Sequence, residues 1–238
     1  MKSKLGYMLF FMLFLVACSN DEPAIVKVDT PPEETAEVPE LIEEVSEDEV
    51  VDEFIEFTLE NEVVRVNLKQ VPILNAYLQG VKNPQNVIQQ MDIQKLFQQE
   101  DNDIYLLEFS CDNTCSYLLL DQSSENTGIL LADLSTFEQF ILSPNETRVL
   151  VKFNRESAQD YPLSTIIVID LKEWAVLSLE NDAIVSNMFD FNWPIIAANW
   201  IDEETISISV PESLPTNHEQ ADIPNNEMNE IVYDVIPD

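Results

Sequence analysis

The chain has 238 residues, and its 11 lysines and arginines stand against 45 acids, a formal net charge of −34. Such a balance excludes a phosphate-tracking nucleic-acid binder, whose surface needs clustered cations. With three glycines (Gly6, Gly80 and Gly128) and one histidine (His218), the chain can build neither a glycine-rich anion loop nor chemistry that needs two imidazoles.

Lys2 and Lys4 precede an uncharged run, Leu5 to Ala17. The run is long enough for the apolar core of a signal peptide and short for a ~30 Å hydrocarbon slab. It ends Leu15-Val16-Ala17-Cys18. This resembles the lipobox of bacterial lipoproteins, with a branched residue at −3, a small residue at −1 and the modified cysteine at +1. The resemblance implies a signal peptide over 1–17 and diacylation of Cys18, which becomes the mature N-terminus. It also implies a cell-membrane location facing the periplasm or the extracellular wall space. Two acyl chains suffice for stable anchoring where one is marginal.

Residues 18–52 carry Pro23, Pro31, Pro32 and Pro39, no aromatic residue, and 13 acids against Lys27. Like charge and low apolar content predict a disordered acidic tether. Within it Val38, Leu41, Ile42 and Val45 fall at helical spacing, the pattern of a short helix formed on a partner.

A β-rich globular domain is expected over 53–238. Phe54 to Leu59 and Val63 to Leu68 read as a hairpin around Glu60-Asn61-Glu62. Val71 to Leu78, with Pro72, is irregular or a short helix. Val87, Ile88, Met91, Ile93, Leu96 and Phe97 predict a helix over Gln85 to Gln99. Strands follow at Ile104–Ser110, Ser116–Asp121, Gly128–Asp133, Phe137–Leu142, Arg148–Asn154, Thr165–Leu171, Ala175–Leu179, Ile195–Trp200, Thr205–Val210 and Ile231–Ile236. Turns between them use Asp112-Asn113, Asn126, Asn145, Asn181-Asp182 and Asp202, since Asn and Asp tolerate the left-handed region and bond to nearby backbone.

Leu142-Ser143-Pro144-Asn145-Glu146-Thr147-Arg148, followed by Ile166 to Leu171, resembles a blade of the TolB-like propeller family. There a Ser-Pro-Asp-Gly turn precedes an apolar strand and a later strand ends in Asp-Leu. Trp200 to Ile206 is a fainter echo. Glu146 departs from the family's glycine. The 57 residues from Arg148 to Thr205 exceed the usual ~40–50 per blade. The expected fold is therefore mainly β, a β-meander that is propeller-like or a two-sheet sandwich, with one or two short helices.

Cys111 and Cys115 flank a three-residue turn. Outside the membrane such an even pair reads as a hairpin disulfide. The rival is a metal or thiol-redox site with His218 as a distant ligand. Exported copper-delivery lipoproteins of the Sco family carry a Cys-x-x-x-Cys pair, but at a helix entrance. Asp101-Asn102-Asp103 lacks the glycine and glutamate of a calcium loop. Ser143 lacks the nucleophile elbow. Phe189, Phe191, Trp193 and Trp200 form a candidate exposed aromatic recognition patch. These features point to a non-enzymatic, lipid-anchored envelope protein without cofactor or resident metal, which binds a protein or cell-wall partner and no nucleic acid. The alternative is an exported metal-binding or thiol-redox protein built on Cys111 and Cys115.

Overall fold

The computed structural model describes residues 23–28, 39–45, 51–98, 102–123, 126–157, 161–181, 189–212 and 228–237. The 1–17 segment, Cys18 and His218 lie outside the described residues. The fold is mainly β, with two short helices. In chain order the elements are β1 (Ile25–Val28), β2 (Glu40–Val45), β3 (Val51–Thr58), β4 (Val63–Asn67), α1 (Pro72–Gly80) and α2 (Pro84–Ile88). Then come β5 (Asp92–Phe97), β6 (Ile104–Phe109), β7 (Cys115–Leu120), β8 (Ile129–Leu142), β9 (Arg148–Arg155) and β10 (Leu163–Asp170). β11 (Ala175–Glu180), β12 (Ala197–Trp200), β13 (Thr205–Pro211) and β14 (Met228–Ile236) complete the set.

Strand pairing gives a four-stranded sheet, β1-β4-β3-β2, and a ten-stranded sheet, β12-β13-β14-β11-β10-β9-β8-β7-β6-β5. The long sheet folds into leaves at two shared strands. The first part of β8 pairs with β7 as far as Ser135, and from Thr136 onward it pairs with β9. β11 is divided in the same way, Ala175 to Leu177 against β10 and Ser178 to Glu180 against β14. The bend in β8 falls at Leu134, whose φ of 43° breaks the extended backbone. One kinked strand therefore stands where the sequence suggests two.

Four leaves result, and a separate apolar core fills each space between neighbours. Between the first leaf and β5–β8 lie Ile25, Ile55, Phe57, Val64 and Val66, against Tyr105, Leu107, Phe109, Leu118 and Leu120. The alternate residues Ile104, Leu106, Tyr117 and Leu119 face the other way, onto Val149, Val151, Phe153 and Ile169 of the third leaf. Leu150, Ile166 and Val168 then meet Ile206, Ile208 and Tyr233 of the fourth. Strands apolar on both faces, such as Ile104–Phe109 and Cys115–Leu120, belong to leaves covered on both sides. The helices cap the first core. Pro72 is preset for the first turn of α1, Leu74 and Leu78 are buried one turn apart, and Tyr77 stands edge-on to Phe109. Asn83 caps α2 by accepting from the Asn86 N–H at 3.3 Å.

Two expectations need correction. The tether over 18–52 is interrupted by strands. β1 pairs with β4 from Ile25↔Val66 to Val28↔Val63, and β2 pairs with β3. Ala24 and Ile25 are almost wholly buried, so the folded part begins before residue 53. Leu41 lies on a strand where helical spacing suggests a helix. The helix expected over Gln85 to Gln99 stops at Ile88. Gln89 and Gln90 turn the chain, and Met91 and Ile93 enter the first core at strand spacing.

Candidate functional site

The cysteine turn closes the hairpin of β6 and β7. Ser110 enters it at φ 55°, and the Asp112 N–H donates to the Thr114 carbonyl at 3.1 Å. The Cys111 and Cys115 sulfurs are bonded, 2.16 Å apart, with Cα atoms separated by 4.2 Å. Cys115 is half-buried against the second core and stands in register with Ser135. The Ser135 hydroxyl is buried and has no partner among the described residues. One oxygen of Glu108 and both sulfurs lie within 4.8 Å of one another. Glu108 sits directly opposite Asp92 on β5. Burial first, and then the Asp92 charge, hold its carboxyl above the usual range.

The four aromatics do not form an exposed patch. Phe191 is buried in the second core, with the Arg155 guanidinium 3.7 Å above its ring. Phe189 packs edge-on against Tyr233 at 5.0 Å, and Trp193 and Trp200 pack on the third core. The Trp200 indole donates to the Ile141 carbonyl at 3.0 Å. Ser164, buried on β10, holds this segment in place. Its hydroxyl accepts from the Ile195 N–H, its N–H donates to the Trp193 carbonyl, and its carbonyl accepts from the Phe191 N–H. Aromatic rings bury large areas, and here the leaf beneath them takes that area up.

The turn Ser143 to Arg148 is built by side chains. The Ser143 hydroxyl donates to Asn145 Oδ1 at 2.8 Å and accepts from the Arg148 N–H at 3.1 Å, while the Thr147 N–H donates to the same Asn145 oxygen. Glu146 adopts φ 59°, the conformation for which its position favours glycine. Arg148 reaches the Glu203 carbonyl at 2.9 Å and so ties this turn to the one at 201–204. Asp202 accepts from the Glu204 N–H within that second turn.

One cluster has no counterpart in the sequence reading. Between the first two leaves, Lys27 contacts Glu62 at 2.9 Å and Asp103 at 2.5 Å, and Lys95 contacts the same acids at 2.8 and 3.1 Å. The Tyr105 hydroxyl lies 3.2 Å from Glu62, and its ring lies under the Lys95 ammonium. Burial alone would raise both acids, but the two lysines outweigh it and hold Glu62 and Asp103 below the ordinary carboxylate range. Asp103 and then Glu62 raise Lys27; burial, followed by Glu62, raises Tyr105. Beside it, Asp121 is almost fully buried and accepts from the Asn102 and Asn126 amides. No short motif signals this arrangement, because its members are scattered from residue 27 to residue 126 and meet only when the leaves stack.

A groove of about 230 Å³, lined by Pro39, Phe57, Gln89, Met91 and Asp92, opens beside β5. Among the described residues no helix is long and apolar enough to cross a membrane. No protein-family model, curated protein or solved structure matches the chain.

Proposed function

We propose that this chain is a lipid-anchored cell-envelope protein that works by binding a protein partner or a wall component, without catalysis of its own. The observation that carries the reading is the N-terminal order: two lysines, an uncharged run from Leu5 to Ala17, then Leu15-Val16-Ala17-Cys18. Lys152 reaches Glu138 at 3.1 Å, and Asp103 is held by two lysines, so these ion pairs join strands and leaves. The four-stranded leaves, linked in chain order, are also what a blade-type repeat of the TolB kind would supply. A net charge of −34 favours a cationic or neutral partner, with encounter slowing as salt rises.

Intact-mass analysis of the native protein tests the anchor. The expected product begins at Cys18 with a diacylglyceryl adduct, and Cys18→Ala abolishes membrane retention. A secreted, unmodified chain would overturn the anchor. Crosslinkers placed at Leu134 and Ile201, which are 63% and 53% exposed, test the partner on intact cells. A discrete crosslinked species that weakens as salt rises is the expected result. Turnover abolished by one carboxylate or cysteine substitution in a folded chain would overturn the binding role.

A further inference from the structure

Glu108 and Asp92 face each other in direct register across β6 and β5, where like charges repel. The β6–β7 turn sets Cys111 and Cys115 beside Glu108, with one Glu108 oxygen and both sulfurs within 4.8 Å of one another. Two independent features coincide there. One is a sulfur pair at a spacing that zinc sites use, two to four residues between cysteines. The other is a partly buried carboxylate, Glu108, set opposite a like charge on the neighbouring strand.

We propose that reduction of the Cys111–Cys115 bond opens a zinc site in which both cysteine thiolates and the Glu108 carboxylate bind one Zn²⁺, with water completing the set. A dithiol reductant passes two electrons and two protons to the disulfide and is itself oxidised to a disulfide. Cys111 and Cys115 become thiols, and zinc binding releases both thiol protons to water. The freed sulfurs then separate to roughly 3.7 Å, the spacing of two thiolates on a tetrahedral zinc with ~2.3 Å bonds. Sulfur donors select against Mg²⁺ and Ca²⁺, which take oxygen sets. The site goes beyond the binding role and is independent of it. The same turn is a closed staple when oxidised and a metal clip when reduced.

The test titrates the full-length chain, oxidised and reduced, with Co²⁺ and then Zn²⁺. The reduced chain should bind one equivalent of Co²⁺ with thiolate-to-cobalt charge-transfer absorption, which Zn²⁺ displaces, and the oxidised chain should show none. Cys115→Ser should abolish the band. Glu108→Gln should weaken Zn²⁺ binding at least about tenfold, since even outer-sphere partners cost that much. Cys18→Ser should leave binding unchanged. Circular dichroism checks the fold of each variant, and the redox comparison on the unaltered chain decides the matter if Cys115→Ser does not fold. Equal metal binding by oxidised and reduced chains, or affinity indifferent to Glu108→Gln, would overturn the site.

Discussion

Ser110, Leu134, Glu146, Trp174, Asp190 and Phe191 hold φ between 43° and 65°, while neither described glycine does. A residue with a Cβ is strained in that region by roughly 1–2 kcal/mol. Glu146 is exposed at its turn, so Glu146→Gly should raise stability by about 1 kcal/mol in urea unfolding, whereas Glu146→Ala should bring no gain. Gly128 serves a different purpose. A Cβ there would stand 2.8 Å from Leu120 Cδ2 and 3.0 Å from Val71 Cγ1, so Gly128→Ala should cost about 1–3 kcal/mol by overpacking. The Asn and Asp residues of the turns act mostly through their side chains. Asn145, Asp170 and Asp202 accept backbone N–H bonds, and of the described Asn and Asp only Asp190 takes positive φ.

β1 shows how four residues join a domain. Ile25 is fully buried in the first core, so Ile25→Ala should lower stability by about 2–4 kcal/mol, an effect that a residue on a solvated spacer could not produce. Lys27, two residues on, enters the ionic cluster. Glu62 and Asp103 titrate below their ordinary range in the folded chain. Their contribution is therefore complete above the unfolded values near pH 4 and is lost as pH falls through the folded ones. Thermal melts across this range should show an acid limb that Asp103→Asn flattens. At neutral pH the same substitution should cost about 2 kcal/mol, less than a fully buried pair because the lysines are partly exposed. The cysteine staple closes a short loop, and Cys115→Ser should cost no more than about 2 kcal/mol by chain entropy.

At the scale of the molecule, leaves in chain order share strands β8 and β11, and each inner leaf feeds two cores. The outer face of the first leaf carries the Arg65–Glu56 pair at 2.5 Å, and charged or small polar residues such as Ser209 and Glu230 appear on the last. Limited proteolysis of the native protein should leave a core that includes β1, with a resistant fragment starting near Pro23. A fragment starting near Glu53 would contradict the burial of Ile25.

By itself the sequence determined the class of the fold, the β3–β4 hairpin and the run of strands from Ile104 onward, except that Gly128–Asp133 and Phe137–Leu142 join into β8. Local apolar patterning and turn chemistry act over a few residues and survive without the rest of the chain. The Cys111–Cys115 turn was legible for the same reason, since only four positions separate the pair. Only the tertiary structure decided that Ile25 belongs to a core, that the segment after Ile88 is a strand, and that the Phe189-to-Trp200 aromatics pack inward. In each case the outcome depends on a surface brought in from far along the chain, and a strand in an acidic, proline-bearing stretch gains its stability from the leaf it joins. The Lys27–Glu62–Lys95–Asp103 square and the Glu108–Asp92 pair are of this kind. The charges of the square meet when two leaves stack and those of the pair through sheet register, neither of which composition and spacing encode.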